Sequence, residues 1–396
     1  MDADVLAERI LCDLKNTFNK DPLIDEFDIL PVHESTRNTC PVIHIEHKVA
    51  LEDWCVKHVY VYAYSNFFSW RKKPHKIDPD NLLIWTCAIL LINPEIETVW
   101  NARKELLCQN LLQPSDELRF TEIVLSRKPK SSQVFAHRKF VLLELRKKSQ
   151  VSSCILQQVI EHEFFVCTRV ASLYPNNYYA WCHRSWLMQE ILHLCVKIIS
   201  EELLEVEHWI TSHISDYSGF HYRQFLISSL RKRSTSKQSS RESLSCPIHS
   251  ANSDGAKSNC HLSVINDREL AAFNNALEKE LVLLSSLQTV YPGHETLWNH
   301  RRYILHEFQL LNTNDGSCPP KFKNTGDSFE DDKQRKRNKL ECEIHKKIDW
   351  DLLKEEAFLA QSMTFSKHND WEKILIARHV KWLQNVILWP VTLPNS

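Results

Sequence analysis

Apolar residues recur at spacings of three and four along most of the chain, the period of a helix that buries one face and wets the other. The pattern predicts helices over residues 80–93, 98–109, 116–127, 133–148, 152–174, 178–195, 197–213, 219–232, 266–290, 295–311, 340–363 and 370–388. In the 197–213 segment the stripe is Ile199, Leu203, Leu204, Val206 and Ile210, which reads as core. Residues 3–19 predict a further amphipathic helix around Leu6, Ile10, Leu11 and Leu14. An irregular stretch rich in Pro, Asp and Asn follows to about residue 41, and Val42–Glu46 reads as a short strand. Val59–Tyr64 alternates as a strand would. A lone strand there would lack a sheet partner, so 58–70 is read as helix.

The helices fall into pairs around punctuated turns. Pro175 stops the helix that reaches Tyr174, since it has no N–H and its ring clashes with the turn before it. Asn177 is placed to cap the next helix, on which Trp181 and Arg184 share a face. An aromatic residue followed three positions later by arginine recurs at Trp100/Arg103, Phe135/Arg138, Trp181/Arg184, Phe220/Arg223 and Trp298/Arg301. Pro94, Pro129, Pro175 and Pro292 stand six residues before four of those aromatics, and Ile214 takes that place before Phe220. The aromatics are 35, 46, 39 and 78 residues apart. Without the polar stretch inside the last gap, every spacing falls near the thirty-to-fifty period of helical-hairpin repeats. One register for proline, aromatic and arginine implies a right-handed solenoid of antiparallel hairpins, an all-α fold.

Two inserts interrupt the array. Residues 234–263 are rich in Ser, with too few apolar residues to offset the entropy of ordering, and read as disordered. Cys246, His249, Cys260 and His261 within them match no closed zinc spacing. Residues 312–339 form a charged insert, whose basic run Lys333–Arg337 reads as a solvated helix start rather than a targeting signal. Arg71–Lys76 likewise reads as a solvated turn. The organisation is therefore an N-terminal extension (1–79), hairpins (80–233), the Ser-rich insert (234–263), a further hairpin (264–311), the charged insert (312–339) and capping helices (340–396).

Composition narrows the function classes. The five glycines cannot build a phosphate-cradling loop or a dinucleotide fingerprint, which excludes the commonest nucleotide-binding enzymes. A net charge of −1 gives no global field for nucleic acid. Thirteen scattered cysteines without a Cys-x-x-Cys pair or a secretory leader suit a reducing cytoplasm. The longest apolar run, Leu82–Ile92, is too short for a membrane span. There is no Ser-His-Asp signature and no His-Glu-x-x-His. His137, His183 and His300 each precede the repeat arginine, so they read as structural. The aromatics read as filling between stacked hairpins, and each arginine as stacking on one or bonding the previous helix end.

Pro-Lys-Ser-Ser-Gln-Val-Phe-Ala-His-Arg at 129–138 and Pro-Asn-Asn-Tyr-Tyr-Ala-Trp-Cys-His-Arg at 175–184 resemble the repeat of protein prenyltransferase α subunits, close to Pro-Lys-Asn-Tyr-x-x-Trp-x-His-Arg. The resemblance covers roughly residues 80–310, with a degenerate last unit near 348–388. It implies a crescent of hairpins around a β subunit, of the Rab geranylgeranyltransferase type, which carries zinc and the prenyl diphosphate. This chain would hold neither cofactor, would be inactive alone, and would serve proteins with a C-terminal cysteine. In farnesyl-type subunits a lysine five residues before the repeat Trp reaches the diphosphate, with a tyrosine two residues later. Here the tyrosine position is Tyr178, a catalytic candidate, while the lysine position is Asn176. Lys130 has the lysine in the preceding repeat, where Ser132 replaces the tyrosine. Asn176, Asn177 and Lys130 are thus candidates for the diphosphate side, and the neutral Asn176 favours a geranylgeranyl-type enzyme. The rival reading is a helical-repeat scaffold, similar to half-TPR arrays, that assembles a protein or RNA-processing complex without enzyme activity.

Overall fold

The computed structural model describes residues 3–34, 37–72, 79–147, 153–235, 260–312 and 370–386. These residues form thirteen α-helices and one small sheet, in two compact units that divide between Ile191 and Leu192.

The first unit opens with α1 (Ala3–Lys20), which buries Ala7, Ile10, Leu11 and Leu14 and packs on α2 (Asp53–Lys72). Between them lie three strands, β1 (Glu26–Leu30), β2 (Val42–Ile45) and β3 (Lys48–Glu52), in the order β1-β3-β2. β1 runs parallel to β3 with Phe27 opposite Val49, and β2 runs antiparallel with Ile43 opposite Ala50. The sheet corrects the irregular reading of residues 20–41. It also removes the reason for reading 58–70 as helix, since strand partners do exist. Helix is nevertheless the outcome there, because Cys55, Val59, Ala63 and Phe67, each four residues from the next, form a stripe that is fully buried. The apparent alternation is a second stripe, Tyr60, Tyr64 and Phe68, with ring centroids 5.7 and 4.4 Å apart along the helix. Of the basic run, Arg71 pairs with Glu105 at 2.9 and 2.8 Å, and positions 73–76 lie outside the described residues.

Three hairpins follow in this unit: α3 (Pro79–Ile92) with α4 (Glu97–Cys108), α5 (Pro114–Arg127) with α6 (Ser132–Lys147), and α7 (Ser153–Leu173) with α8 (Tyr178–Trp186). α5 packs on α3, α7 and β1, while α6 packs on α4 and α8. α8 stops sooner than periodicity predicts, running into a π-turn over Leu187–Ile191. His193 and Leu194 then take the left-handed conformation at φ 50° and 51°, where a bulky side chain is strained.

The second unit holds α9 (Val196–Ser212) with α10 (Tyr217–Thr235), α11 (Cys260–Val290) with α12 (Glu295–Asn312), and α13 (Asp370–Val386). α11 starts six residues before the periodic pattern does, inside the stretch read as disordered insert. α10 likewise runs on to Thr235 and α12 to Asn312, each just inside an insert, while residues 236–259, 313–339 and the 340–363 helix lie outside the described residues. Ile199, Leu203, Val206 and Ile210 are core, but Leu204 is 57% exposed. It sits one step off the stripe, on the outer face of α9.

Candidate functional site

The repeat motif builds a buried ionic ladder. Arg103 on α4 forks onto Glu117 of the next hairpin at 2.8 and 2.7 Å, and His137 Nε2 meets the same carboxylate at 2.7 Å. One hairpin later, Arg138 Nε donates to Glu163 at 3.1 Å, its Nη2 donates to the other oxygen, and His183 Nε2 lies 3.0 Å away. In the second unit Arg223 and His300 converge on Glu280 in the same way, with His300 at 2.9 Å. Each glutamate thus joins the arginine of one hairpin to the histidine of its own. The arginine's remaining arm ties it to its own first helix. Arg138 donates to Leu118 O (2.6 Å) and Thr121 Oγ1 (2.8 Å), Arg184 to Phe164 O (3.2 Å) and Thr168 Oγ1 (2.7 Å), and Arg223 to Leu203 O (2.6 Å). Arg301, buried on α12, ties to its own first helix through side chains, donating to Ser285 Oγ (3.1 Å) and Gln288 Oε1 (3.0 Å) of α11. Gln288 stands in the last turn of α11, so the helix-end partner read from the sequence is found, reached through a side chain, with Ser285 one step deeper as a second acceptor.

Burial alone would raise the carboxyl pKa values, but the arginine and histidine facing each one overcome it. Glu117, Glu163 and Glu280 are all held at about 2. Burial pushes His137 and His183 below the ordinary imidazole value against the pull of their glutamates. Both rings are therefore neutral and donate through Nε2–H, with a buried, unpartnered Nδ1 on the other side. These groups hold the repeats together; they are not poised for catalysis. For Arg103, Arg138 and Arg223 the sequence reading stopped at ring stacking and helix ends, and the glutamate pairing corrects it. The missed signal was a glutamate twenty residues before each motif histidine.

The aromatics complete each step by packing on the next hairpin's histidine. Ring centroids are 4.6 Å apart for Trp100–His137, 5.3 Å for Phe135–His183, 5.3 Å for Phe220–His300 and 5.0 Å for Trp298–His379. Trp181 is likewise buried. In the Phe220 repeat the histidine position is Tyr222, whose hydroxyl donates to Glu202 at 2.9 Å, again across twenty residues. The ladder changes at both ends for a physical reason. The first hairpin has no predecessor to pair with and carries buried Leu82 and Ala102 where glutamate and histidine would stand. On α13 the aromatic and arginine positions are Ala377, which is exposed, and Val380.

With the ladder buried, the motif residues left at the surface are those of the turns. Asn176 sits at φ 55°, a left-handed conformation that asparagine tolerates. Asn177 is fully buried: its Oδ1 caps α8 by accepting from Ala180 N (3.3 Å), and its Nδ2 donates to Pro129 O (2.7 Å) and Val170 O (3.4 Å). It is a clamp between two adjoining turns and is not at the surface the resemblance assigned to it. Lys130, on the first of those turns, places its ammonium 3.7 Å from the centroid of Tyr174 on the second. Tyr178 is 60% exposed, and its hydroxyl is pushed above the usual phenol value by a hydrogen bond with Cys182 one helical turn on. Tyr174 and Tyr179 are also exposed, and the Tyr178 and Tyr179 rings meet edge to face at 5.7 Å. Lys130, Asn176 and Tyr178 thus come to one edge of the first unit. Among the described residues no three His, Cys, Asp or Glu side chains are grouped to hold a metal, and no helix is long and apolar enough to cross a membrane.

Comparison with known proteins agrees with this architecture. The family model described as "Protein prenyltransferase alpha subunit repeat" matches residues 114–145, 160–191, 199–230 and 268–308. These are the hairpins that carry the glutamate; the first hairpin, with Leu82 and Ala102, is not matched. Human "Protein prenyltransferase alpha subunit repeat-containing protein 1" is 35% identical over 78% of this chain and 79% of its own. The zebrafish (Danio rerio) protein of the same name is 34% identical over 77% and 73%. "Geranylgeranyl transferase type-2 subunit alpha" of Candida albicans is 28% identical over 37% of this chain and 43% of its own. By its repeats and by these relatives, the chain belongs to the protein prenyltransferase alpha subunit repeat family.

Proposed function

We propose that the chain is the non-zinc subunit of a heterodimeric protein prenyltransferase of geranylgeranyl type. Its partner is a β subunit of the Rab geranylgeranyltransferase kind, which holds zinc and the prenyl diphosphate. The bound zinc supplies a substrate thiolate, which forms a thioether with the isoprenoid as diphosphate leaves. The observation that carries the reading is the turn edge of the first unit. Three exposed tyrosines and the Lys130 ammonium are presented together there, on turns locked by the buried Asn177. Exposed aromatic clusters of this kind mark protein interfaces. Lys130 and Tyr178 offer a cation and a hydroxyl to a departing diphosphate. Asn176 adds no charge, which with the geranylgeranyl transferase relatives supports the geranylgeranyl assignment over the farnesyl one. The complex works in the cytoplasm on proteins with a C-terminal cysteine.

The test is transfer of labelled isoprenoid to such a protein by the assembled complex. Lys130→Ala and Tyr178→Phe should each slow transfer about 10- to 100-fold, the weight of one charge-assisted hydrogen bond, with helicity unchanged. Asn176→Lys should change turnover at low salt. If all three are kinetically silent in a folded complex, the turn edge takes no part in the reaction. A chain isolated with scaffold partners and no β subunit would move the assignment to a non-enzymatic helical repeat.

A further inference from the structure

The lysine and the tyrosine of the turn edge come from different hairpins. Of the four turn prolines only Pro129 is followed by lysine, Lys130; Glu95, Asn176 and Gly293 follow the others. Tyr178 belongs to the next hairpin, whose own lysine position is the neutral Asn176. The fold closes that gap. The Lys130 ammonium lies 3.7 Å from the ring centroid of Tyr174, which stands two residues before Asn176 and four before Tyr178. The contact thus brings the charge of one turn across to the turn that lacks it. A single residue fixes both turns, since Asn177 caps α8 and donates to the Pro129 carbonyl at 2.7 Å. Lys130 and Tyr174 are both exposed, so the ammonium stays open to a ligand.

We propose that Tyr174 is a positioning residue: its ring holds Lys130 over the third hairpin's turn, where the ammonium stands in for the cation that Asn176 does not supply. Electrostatics explains why the partner is a ring. An aromatic face attracts an ammonium through its quadrupole but carries no net charge. A carboxylate would hold the lysine only by cancelling the charge that a departing diphosphate needs. The ring also restrains a long side chain that would otherwise lose its rotamer freedom on meeting the anion. The N–H donors turned away from the ring are left for charge-assisted bonds. Tyr174 touches no substrate and acts through Lys130. The inference rests on the transferase reading, because it names what sets the cation of that site.

The experiment measures kcat/KM for isoprenoid transfer by the assembled complex at low salt, with light scattering to confirm assembly of each variant. Tyr174→Leu should lower it about two- to fivefold, the weight of an exposed cation–π contact, while Tyr174→Phe, which keeps the ring, should restore it. In a Lys130→Ala background Tyr174→Leu should add nothing, and Asn176→Lys should recover most of the lost rate. In the chain alone, competitive acetylation followed by mass spectrometry should label Lys130 about two- to fivefold faster in Tyr174→Leu than in the unaltered chain, relative to the exposed Lys128, because the ring covers one side of the amine. Three results would overturn the inference and leave the transferase reading standing: a slow Lys130→Ala beside a silent Tyr174→Leu, a Tyr174→Leu loss that persists without Lys130, or no recovery by Asn176→Lys. An unchanged labelling ratio also overturns it, whatever the activity. A silent Lys130→Ala, or a complex with no transfer, removes both the reading and the inference.

Discussion

Glu163→Gln probes the ladder at its centre. The amide keeps the shape of the carboxylate but removes the charge and turns one acceptor oxygen into a donor NH2, leaving the fully buried Arg138 guanidinium with neutral acceptors alone, Leu118 O, Thr121 Oγ1 and the amide's one oxygen. Two routes give the magnitude. A carboxyl moved from 4.5 to about 2 on folding contributes roughly 3 kcal/mol at neutral pH. Breaking a buried ion pair from one side costs about 3–5 kcal/mol. The expected loss is therefore about 3–5 kcal/mol, concentrated in α6–α8. Thermal unfolding of the full chain by circular dichroism, with amide exchange resolving those helices, measures it. The triple variant Arg138→Met/Glu163→Leu/His183→Phe should lose less than the single one, because no charge is left to desolvate. A Glu163→Gln loss under about 1 kcal/mol, or a triple variant as damaged as the single, would refute the idea that charge pairing couples the hairpins.

The same chemistry sets the acid limit. Glu117, Glu163 and Glu280 have folded pKa values of about 2 against 4.5 in the free side chain, so their stabilisation is full above pH 4.5 and is lost progressively towards pH 2; circular dichroism over that range should show cooperative loss of helix. Leu194→Gly should raise the unfolding temperature, gaining about 1 kcal/mol by relieving a left-handed backbone that leucine resists. Tyr222→Phe removes the hydroxyl that donates to Glu202 and should cost about 1–2 kcal/mol in denaturant titrations, while Tyr222→His, which restores the usual motif residue, should cost less.

Much of this was legible from residue spacing. Proline, aromatic and arginine recur in one register, and that register placed most of the hairpin helices to within a few residues, the end of α8 and the start of α11 excepted. The cap at Asn177 followed from its side chain and its place after Pro175. The glutamate half of the ladder escaped because it lies on the other helix of each hairpin, twenty residues upstream, where a lone Glu among surface charges looks unremarkable. For Arg301 the end of the preceding helix was legible as a partner, but not that Ser285 and Gln288 side chains would be the acceptors, since they carry no repeat signal of their own. Of the sheet, sequence named only the strand at Val42–Glu46, found as β2; β1 and β3 escaped because they are five residues long and pair across separate segments. The early end of α8 leaves no trace in periodicity, because Leu187, Met188 and Ile191 stay buried whether the turn is α or π. At the turn edge, sequence named Lys130 and Tyr178 from separate repeats. Only the fold shows the two turns clamped side by side, and only the fold removes Asn177 from the surface.

The central claim is that this chain works as one half of a prenyltransferase. The most direct measurement mixes the purified chain with a Rab geranylgeranyltransferase β subunit, determines the mass of the product by light scattering, and assays geranylgeranyl transfer to a protein with a C-terminal cysteine. The account predicts a one-to-one complex that forms thioether, with neither subunit active alone. A folded chain that forms no complex, or a complex that transfers nothing while a known enzyme does so under the same conditions, would contradict it.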